Sequence, residues 1–366
     1  MSRERILIAM SGGVDSAVAA ARLVDQGFDV VGVTLHLWDY PDAGDARSHD
    51  RCCAPEDQYD ARRTADLLGI PHFTFDRRAL FAKTVVKPFV EAYLAGETPS
   101  PCTACNREVK VAELVALADR LGASRVATGH YARLGRTGDG LPFLREGVDG
   151  AKDQSYFLYA TKHELLERLA FPLGDSLKPE VRAEAVTRNL PGATKGESQE
   201  LCFVGAGAGA YAAFVEERAQ SRVRPGPVVD ADGRVVGAHD GIHRFTIGQR
   251  KGLGIAARTR TFVTAIDADT ATVHLGDGDR LHAMAAELDD VVLAPGITLP
   301  LEARVRVRYR HEGAAARIEW SSGGTAVVRF RAPVRAVSRG QVAVFYDGDR
   351  VLGGGRILSA APKLAS

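Results

Sequence analysis

The segment Ile6–Ser16, ILIAMSGGVDS, constrains this chain more than any other stretch. Its five apolar residues form a continuous run, the pattern of a strand covered on both faces and therefore of a parallel sheet. Ser-Gly-Gly-Val-Asp-Ser follows at once, and then Ser16–Gln26 places Ala17, Ala20, Ala21 and Val24 on one helical face. Gly27 stops that helix before a second apolar run, Val30–Leu37, which completes a βαβ unit. Further helices are expected over about Pro55–Leu68, closed by Gly69 and Pro71, and over Val109–Leu121, closed by Gly122. The strands HFTF and RVATGH follow them, so the first part reads as α/β with a doubly wound parallel sheet.

Beyond about Phe214 the texture changes. Gly and Pro punctuate short alternating runs such as TFVTAID, ATVHLGD, TAVVRF and QVAVFYD, which read as antiparallel β structure ending in a small barrel. The expected division is therefore a catalytic domain over 1–210, a small central domain over 211–284 and a C-terminal antiparallel β-barrel over 285–366. At 366 residues, 45% hydrophobic and 25% charged, the chain has enough apolar material for several cores, which sets disorder aside. The first apolar run is too short for a signal peptide and no later one is long enough to span a membrane, so a cytoplasmic protein is expected.

Charge is unevenly placed. The chain carries a formal +1, but from Ser221 onward the balance is +6 and before it −5, so the second half is the one suited to a polyanion. Within it EARVRVRYR alternates strictly, with Ala303, Val305, Val307 and Tyr309 on one face and Arg304, Arg306, Arg308 and Arg310 on the other. An arginine row on a barrel strand is expected to face nucleic acid; scattered surface arginines are the alternative.

In a parallel sheet the ligand crevice lies beyond the carboxyl ends of the strands, and paired glycines let backbone N–H groups close around an anion at a helix N-terminus. Gly12 and Gly13 are so placed. The Lys-Ser/Thr pair of the Walker A loop and the third glycine of the dinucleotide fingerprint are both absent. A tight turn capped by Ser11 or Asp15 is the other reading. The five cysteines, odd in number, argue against a disulfide framework and for thiols that are reactive, metal-bound or buried. His49, Cys52 and Cys53 read as loop or packing residues, since adjacent cysteines without a fourth ligand make a poor zinc seat.

The hexapeptide SGGVDS closely resembles the pyrophosphate-binding loop of the ATP pyrophosphatases, whose adenine nucleotide alpha hydrolase-like fold the resemblance implies. Five further motifs occur in the order found in tRNA-specific 2-thiouridylases: TPSPCTACN, ATGHYAR, KDQSYFLY, SQELCFVG and FTIGQRKGLGI. That resemblance, which runs nearly end to end, implies 2-thiolation of the wobble uridine of Lys, Glu and Gln tRNAs, with ATP and Mg2+ as cofactors. By it, Ala9, Met10, Ser11, Gly12, Gly13, Val14, Asp15 and Ser16 hold the phosphates, with Asp15 near the magnesium, and Leu35 and Gly129 border the adenosine. It further implies tRNA contacts at Ser100, Pro101, Cys102, His130, Lys152, Asp153, Gln154, Arg308, Tyr309 and Gln341.

Replacing a carbonyl oxygen by sulfur needs an activated oxygen and a sulfur carrier, for which a protein persulfide is the natural group. The resemblance makes Cys202 the persulfide carrier, loaded by a cysteine desulfurase or sulfur-relay protein, and Cys105 its partner, able to end in a disulfide with it. Many members carry Asp where this chain has Cys102, so an acid–base role there does not carry over. Cys102, Cys105 and Cys202 also suggest a three-thiolate seat for an iron–sulfur cluster. Asp153 has a second reading as a helix cap, and His130, just past a strand end, one as a structural histidine.

Overall fold

Ile6, Leu7 and Ile8 are wholly inaccessible to solvent, as a strand covered on both faces requires. The computed structural model describes residues 3–39, 55–196, 201–205, 207, 209–255 and 260–362. His49, Cys52, Cys53 and part of SQELCFVG lie outside them. The chain divides into two compact units, Met1–Val85 with Pro101–Ala206 and Asp349–Val351, and Val86–Ser100 with Gly207–Gly348 and Leu352–Ser366.

In the first unit, strands β1 (Arg5–Ala9), β2 (Asp29–His36), β3 (His72–Asp76), β4 (Arg125–Ala127) and Leu169–Ala170 form one parallel sheet. Their order is β3-β2-β1-β4 and then Leu169–Ala170. The chain runs outward from β1 through β2 and β3 and then returns to β4 on the other side of β1, so the topological switch lies between β1 and β4. Helix α1 (Val14–Asp25) buries Ala17, Val18, Ala20 and Ala21 in one core with Val181 and Ala185 of helix Lys178–Thr187. Helix α2 spans Pro55–Leu68, as the sequence predicts.

The helix expected over Val109–Leu121 is the last part of a longer run. It starts at Pro101, widens into a π-helical turn over Asn106–Lys110 and continues over Val111–Arg120. A cysteine pair in this helical run is thus three residues apart, on adjacent turns of one side. π-helical turns inside α-helices recur at functional sites.

The second unit holds a four-stranded sheet of Gly226–Val229, Val235–His239, Phe262–Asp267 and Thr272–Gly276 around Val228, Phe245, Val263 and Val273. It also holds a closed antiparallel barrel. Going round, its strands are His282–Leu293, Ala326–Arg335, Ala314–Trp320, Leu301–Arg306, Val342–Asp347 and Arg350–Pro362, the last pairing back with the first. Val305, Ile318, Val328 and Phe345 fill it. Among the described residues no helix is long and apolar enough to cross a membrane.

The arginine row does not form. The strand ends at Arg306, because the N–H of His311 bonds back to the Arg308 carbonyl and closes a turn. Arg306 is buried with its guanidinium over the Tyr346 ring, and Arg304 lies over the same ring at 4.8 Å. Arg308 and Arg310 alone of the four stay exposed.

Candidate nucleotide and thiol site

The SGGVDS loop leaves the carboxyl end of β1 and enters α1 with Gly13 as N-cap and no side-chain capping bond. The Ser16 hydroxyl fixes the loop from inside, accepting from the Ser11 N–H at 3.1 Å and donating to the Gly13 carbonyl at 2.9 Å. Ser16, not Ser11 or Asp15, therefore holds the turn. Among the described residues no protein acceptor meets the N–H groups of Gly12, Gly13, Val14, Asp15 and Ser16. Successive open N–H groups at a helix N-terminus are the donor set that an anion takes.

Two glycines make the crevice possible. Gly12 has φ +77°, and a Cβ there would stand 2.1 Å from the Asp57 carbonyl oxygen. At Gly129, just past β4, a Cβ would lie 2.9 Å from the Ser16 backbone nitrogen, so only glycine lets β4's end approach the loop. Met10 and Leu35 are buried, Leu35 near the carboxyl end of β2. Lys195 pairs with Asp57 at 3.0 Å and Asp60 at 2.5 Å, tying the segment after Gly192 to α2 beside the loop.

Asp15, in the first turn of α1, receives two groups that sequence reasoning missed. Lys178 Nζ lies 2.6 and 2.7 Å from its two carboxylate oxygens, and the Tyr131 hydroxyl donates to Oδ1 at 2.9 Å. Tyr131 lies in the quoted ATGHYAR motif; Lys178, 163 residues from Asp15, opens a helix that looks ordinary in sequence. Gln154 holds Tyr131 by reciprocal bonds, its N–H donating to the Tyr131 carbonyl at 2.8 Å and its Oε1 accepting from the Tyr131 N–H at 3.1 Å. Asp153 is buried, and its carboxylate accepts from the N–H groups of Gly147 and Ser155 and from the Ser155 hydroxyl. Helix Ser155–Leu158 has Gln154 as its N-cap and no side-chain capping bond, so Asp153 does not cap it but braces the turn just before it, while Lys152 beside it is half-buried.

Cys102 and Cys105 sit on the helical run from Pro101, the first exposed and the second buried; Cys202 is intermediate, and none of the three is in a disulfide. Burial pushes the Cys105 thiol up, against a smaller downward pull from Lys110. Asn106, next to Cys105, donates to the Phe157 carbonyl at 3.2 Å, which joins this helix to the KDQSYFLY segment. Phe203, beside Cys202, packs edge-on to Trp38 and Phe81. Among the described residues no three His, Cys, Asp or Glu side chains gather as a metal seat, so the cluster site considered from the sequence gains no support. His130 bonds Thr128 Oγ1 through Nδ1 at 2.7 Å, and burial, aided by Lys110, pushes it down to about 3, leaving a neutral imidazole.

In the second unit, Gln341 holds the carbonyls of Thr98 and Pro99, just before the half-buried Ser100. Pro101, which opens the cysteine helix, is buried. Arg308 is exposed and donates to the Arg335 carbonyl at 3.0 Å, and the Tyr309 carbonyl accepts from Arg306.

The open amides, the glycine-lined crevice at the switch point and a carboxylate of the kind Mg2+ takes all fit a nucleoside triphosphate. Fold and loop together define an ATP pyrophosphatase. Family profiles described as a tRNA methyl transferase HUP domain, a tRNA methyl transferase PRC-barrel domain and an aminomethyltransferase beta-barrel domain match residues 4–206, 212–277 and 283–357. The "tRNA-specific 2-thiouridylase MnmA" of Sorangium cellulosum is 62% identical over 364 residues, covering 98% of this chain and 93% of that protein. Those of Geobacter metallireducens and Mycobacterium avium are 44% and 49% identical, covering 98% and 96% of this chain and 98% of each relative. The chain belongs to the tRNA-specific 2-thiouridylase family.

Proposed function

We propose that this enzyme replaces the 2-oxygen of the wobble uridine in Lys, Glu and Gln tRNAs by sulfur, consuming ATP. The observation that carries the reading is the coexistence in one unit of the open SGGVDS cradle and the reduced cysteines Cys105 and Cys202. The residues Ala9–Ser16 hold the phosphates and Leu35 and Gly129 border the adenosine; Asp15 would lie beside a Mg2+, which when bound would supply shielding of the phosphate charge. Adenylation of the uridine O2 makes AMP the leaving group in place of oxide and releases pyrophosphate.

Cys202 carries the persulfide delivered by a cysteine desulfurase or sulfur-relay protein. The Cys105 thiolate attacks the Cys202 sulfur, and the S–S bond that forms expels hydrosulfide, which adds to C2 and displaces AMP. The resulting Cys105–Cys202 disulfide is reduced by an external thiol before the next turnover. Cys105 is a poor nucleophile while buried and protonated, so this step requires its exposure. Ser100, Pro101, Cys102, His130 and Lys152 contact the tRNA, joined by Arg308, Tyr309 and Gln341. Asp153 and Gln154 shape that surface from within. Boundaries near 210 and 285 are supported by the three profile segments, and the work is done in the cytoplasm.

Mass analysis of nucleosides from tRNA incubated with enzyme, ATP and a persulfide donor tests this. Wild type yields 2-thiouridine with AMP and pyrophosphate, while Cys202→Ser yields none yet still binds ATP. Absence of thiouridine with wild type, or its formation by Cys202→Ser, overturns the reading.

A further inference from the structure

Lys178 is a buried lysine, and a buried ammonium is tolerated when a close counter-charge offsets its desolvation. Its counter-charge is Asp15, with both carboxylate oxygens within 2.7 Å of Nζ. Nζ also stands 5.8 Å from the centroid of the Tyr131 ring, whose hydroxyl donates to the same carboxylate. The Lys178 N–H donates to Asp149 Oδ2 at 2.9 Å, and the Glu180 side chain accepts from the Leu177 N–H, so the helix start that carries the ammonium is fixed from two sides.

Asp15 lies within the run of open N–H groups from Gly12 to Ser16. A bare carboxylate there opposes the phosphate anion that those groups attract, because like charges at short range in a partly buried site repel by several kcal/mol at an effective dielectric near 20. Neutralised by Lys178, the same carboxylate leaves the field of the helix N-terminus dominant. We infer that Lys178 acts on the site through Asp15, cancelling its charge so that the loop accepts a polyphosphate even without metal. This rests on the reading of the loop as an ATP site.

Calorimetric titration of the full-length protein with ATP and with pyrophosphate, in EDTA, tests it. Lys178→Met is expected to weaken both ligands at least tenfold, and Asp15→Asn combined with Lys178→Met to return affinity to within threefold of wild type, since the neutral pair again leaves the cradle uncharged. Asp15→Asn alone, which needs no folded Lys178→Met protein, is expected to bind metal-free ATP more tightly than wild type. Wild-type affinity in Lys178→Met, a double variant no better than the single one, or weaker binding by Asp15→Asn each overturns the inference. Failure of wild type to bind ATP with or without Mg2+ overturns the reading of the loop itself, a distinct result.

Discussion

Gln341 donates its side-chain amide to the carbonyl oxygen of Thr98 at 2.8 Å and, more weakly, to that of Pro99 at 3.3 Å. The same barrel loop accepts the Thr98 N–H at the Arg339 carbonyl, while the Arg339 side chain pairs with the buried Glu97 at 2.9 Å. A side chain that the family resemblance assigns to tRNA thus closes a backbone clamp on Thr98 and Pro99, the first two residues of the cysteine motif. Gln341→Ala removes a half-buried donor from two acceptors, for an expected loss of about 1–2 kcal/mol in urea unfolding. A variant with unchanged stability and weakened tRNA binding would restrict Gln341 to the RNA.

What was legible in the sequence was what local periodicity encodes. The run ILIAM, the alanine face of α1 and the glycines that end its neighbours appear where read, because each signal lies within a dozen residues. The start of the cysteine helix was not legible, since PCTAC has no apolar period and TPSP before it reads as a turn. Lys178 was hidden for a different reason: its meaning comes from Asp15, which only the packing of α1 against helix Lys178–Thr187 brings near. The alternation of EARVRVRYR misled because the partner of Arg304 and Arg306 is Tyr346, about forty residues on.

The broken arginine row separates two kinds of arginine. Arg306→Ala strips a buried guanidinium from Tyr346 and from the Tyr309 carbonyl, and is expected to cost about 2 kcal/mol of stability. Arg308→Ala is expected to leave unfolding unchanged while reducing the slope of log affinity for tRNA against log salt by about one. The pair of measurements is a urea titration and a filter-binding salt series; an unchanged slope returns Arg308 to an ordinary surface residue.

Acid sensitivity is expected from His130. Its folded-state pKa, held near 3 by burial and by Lys110, lies below the value of about 6.5 in an unfolded chain. Between those values the unfolded chain binds a proton that the native one does not, so stability falls as pH drops below about 6.5. His130→Asn should therefore flatten the plot of unfolding free energy against pH between 6 and 4 by about 1.4 kcal/mol per unit, one proton's worth. An unaltered slope would mean that the imidazole is protonated in the folded protein.

The three described thiols differ in exposure and, for Cys105, in ionisation, and alkylation can rank them. Cys102 is exposed, Cys202 intermediate and Cys105 buried, with burial pushing its thiol up. Thiolate is the reacting species, so both access and ionisation slow Cys105. With iodoacetamide at pH 8, peptide mass analysis is expected to give the order Cys102, Cys202, Cys105, the first and last separated by at least tenfold. Raising the pH past about 9, where an ordinary thiol is already largely ionised, should continue to accelerate Cys105. The proposed sulfur transfer needs the Cys105 thiolate, so bound substrate tRNA should narrow the gap by exposing that helix turn. Equal rates for Cys102 and Cys105 in the free enzyme would mean that Cys105 is already accessible, and the requirement for its exposure would fall.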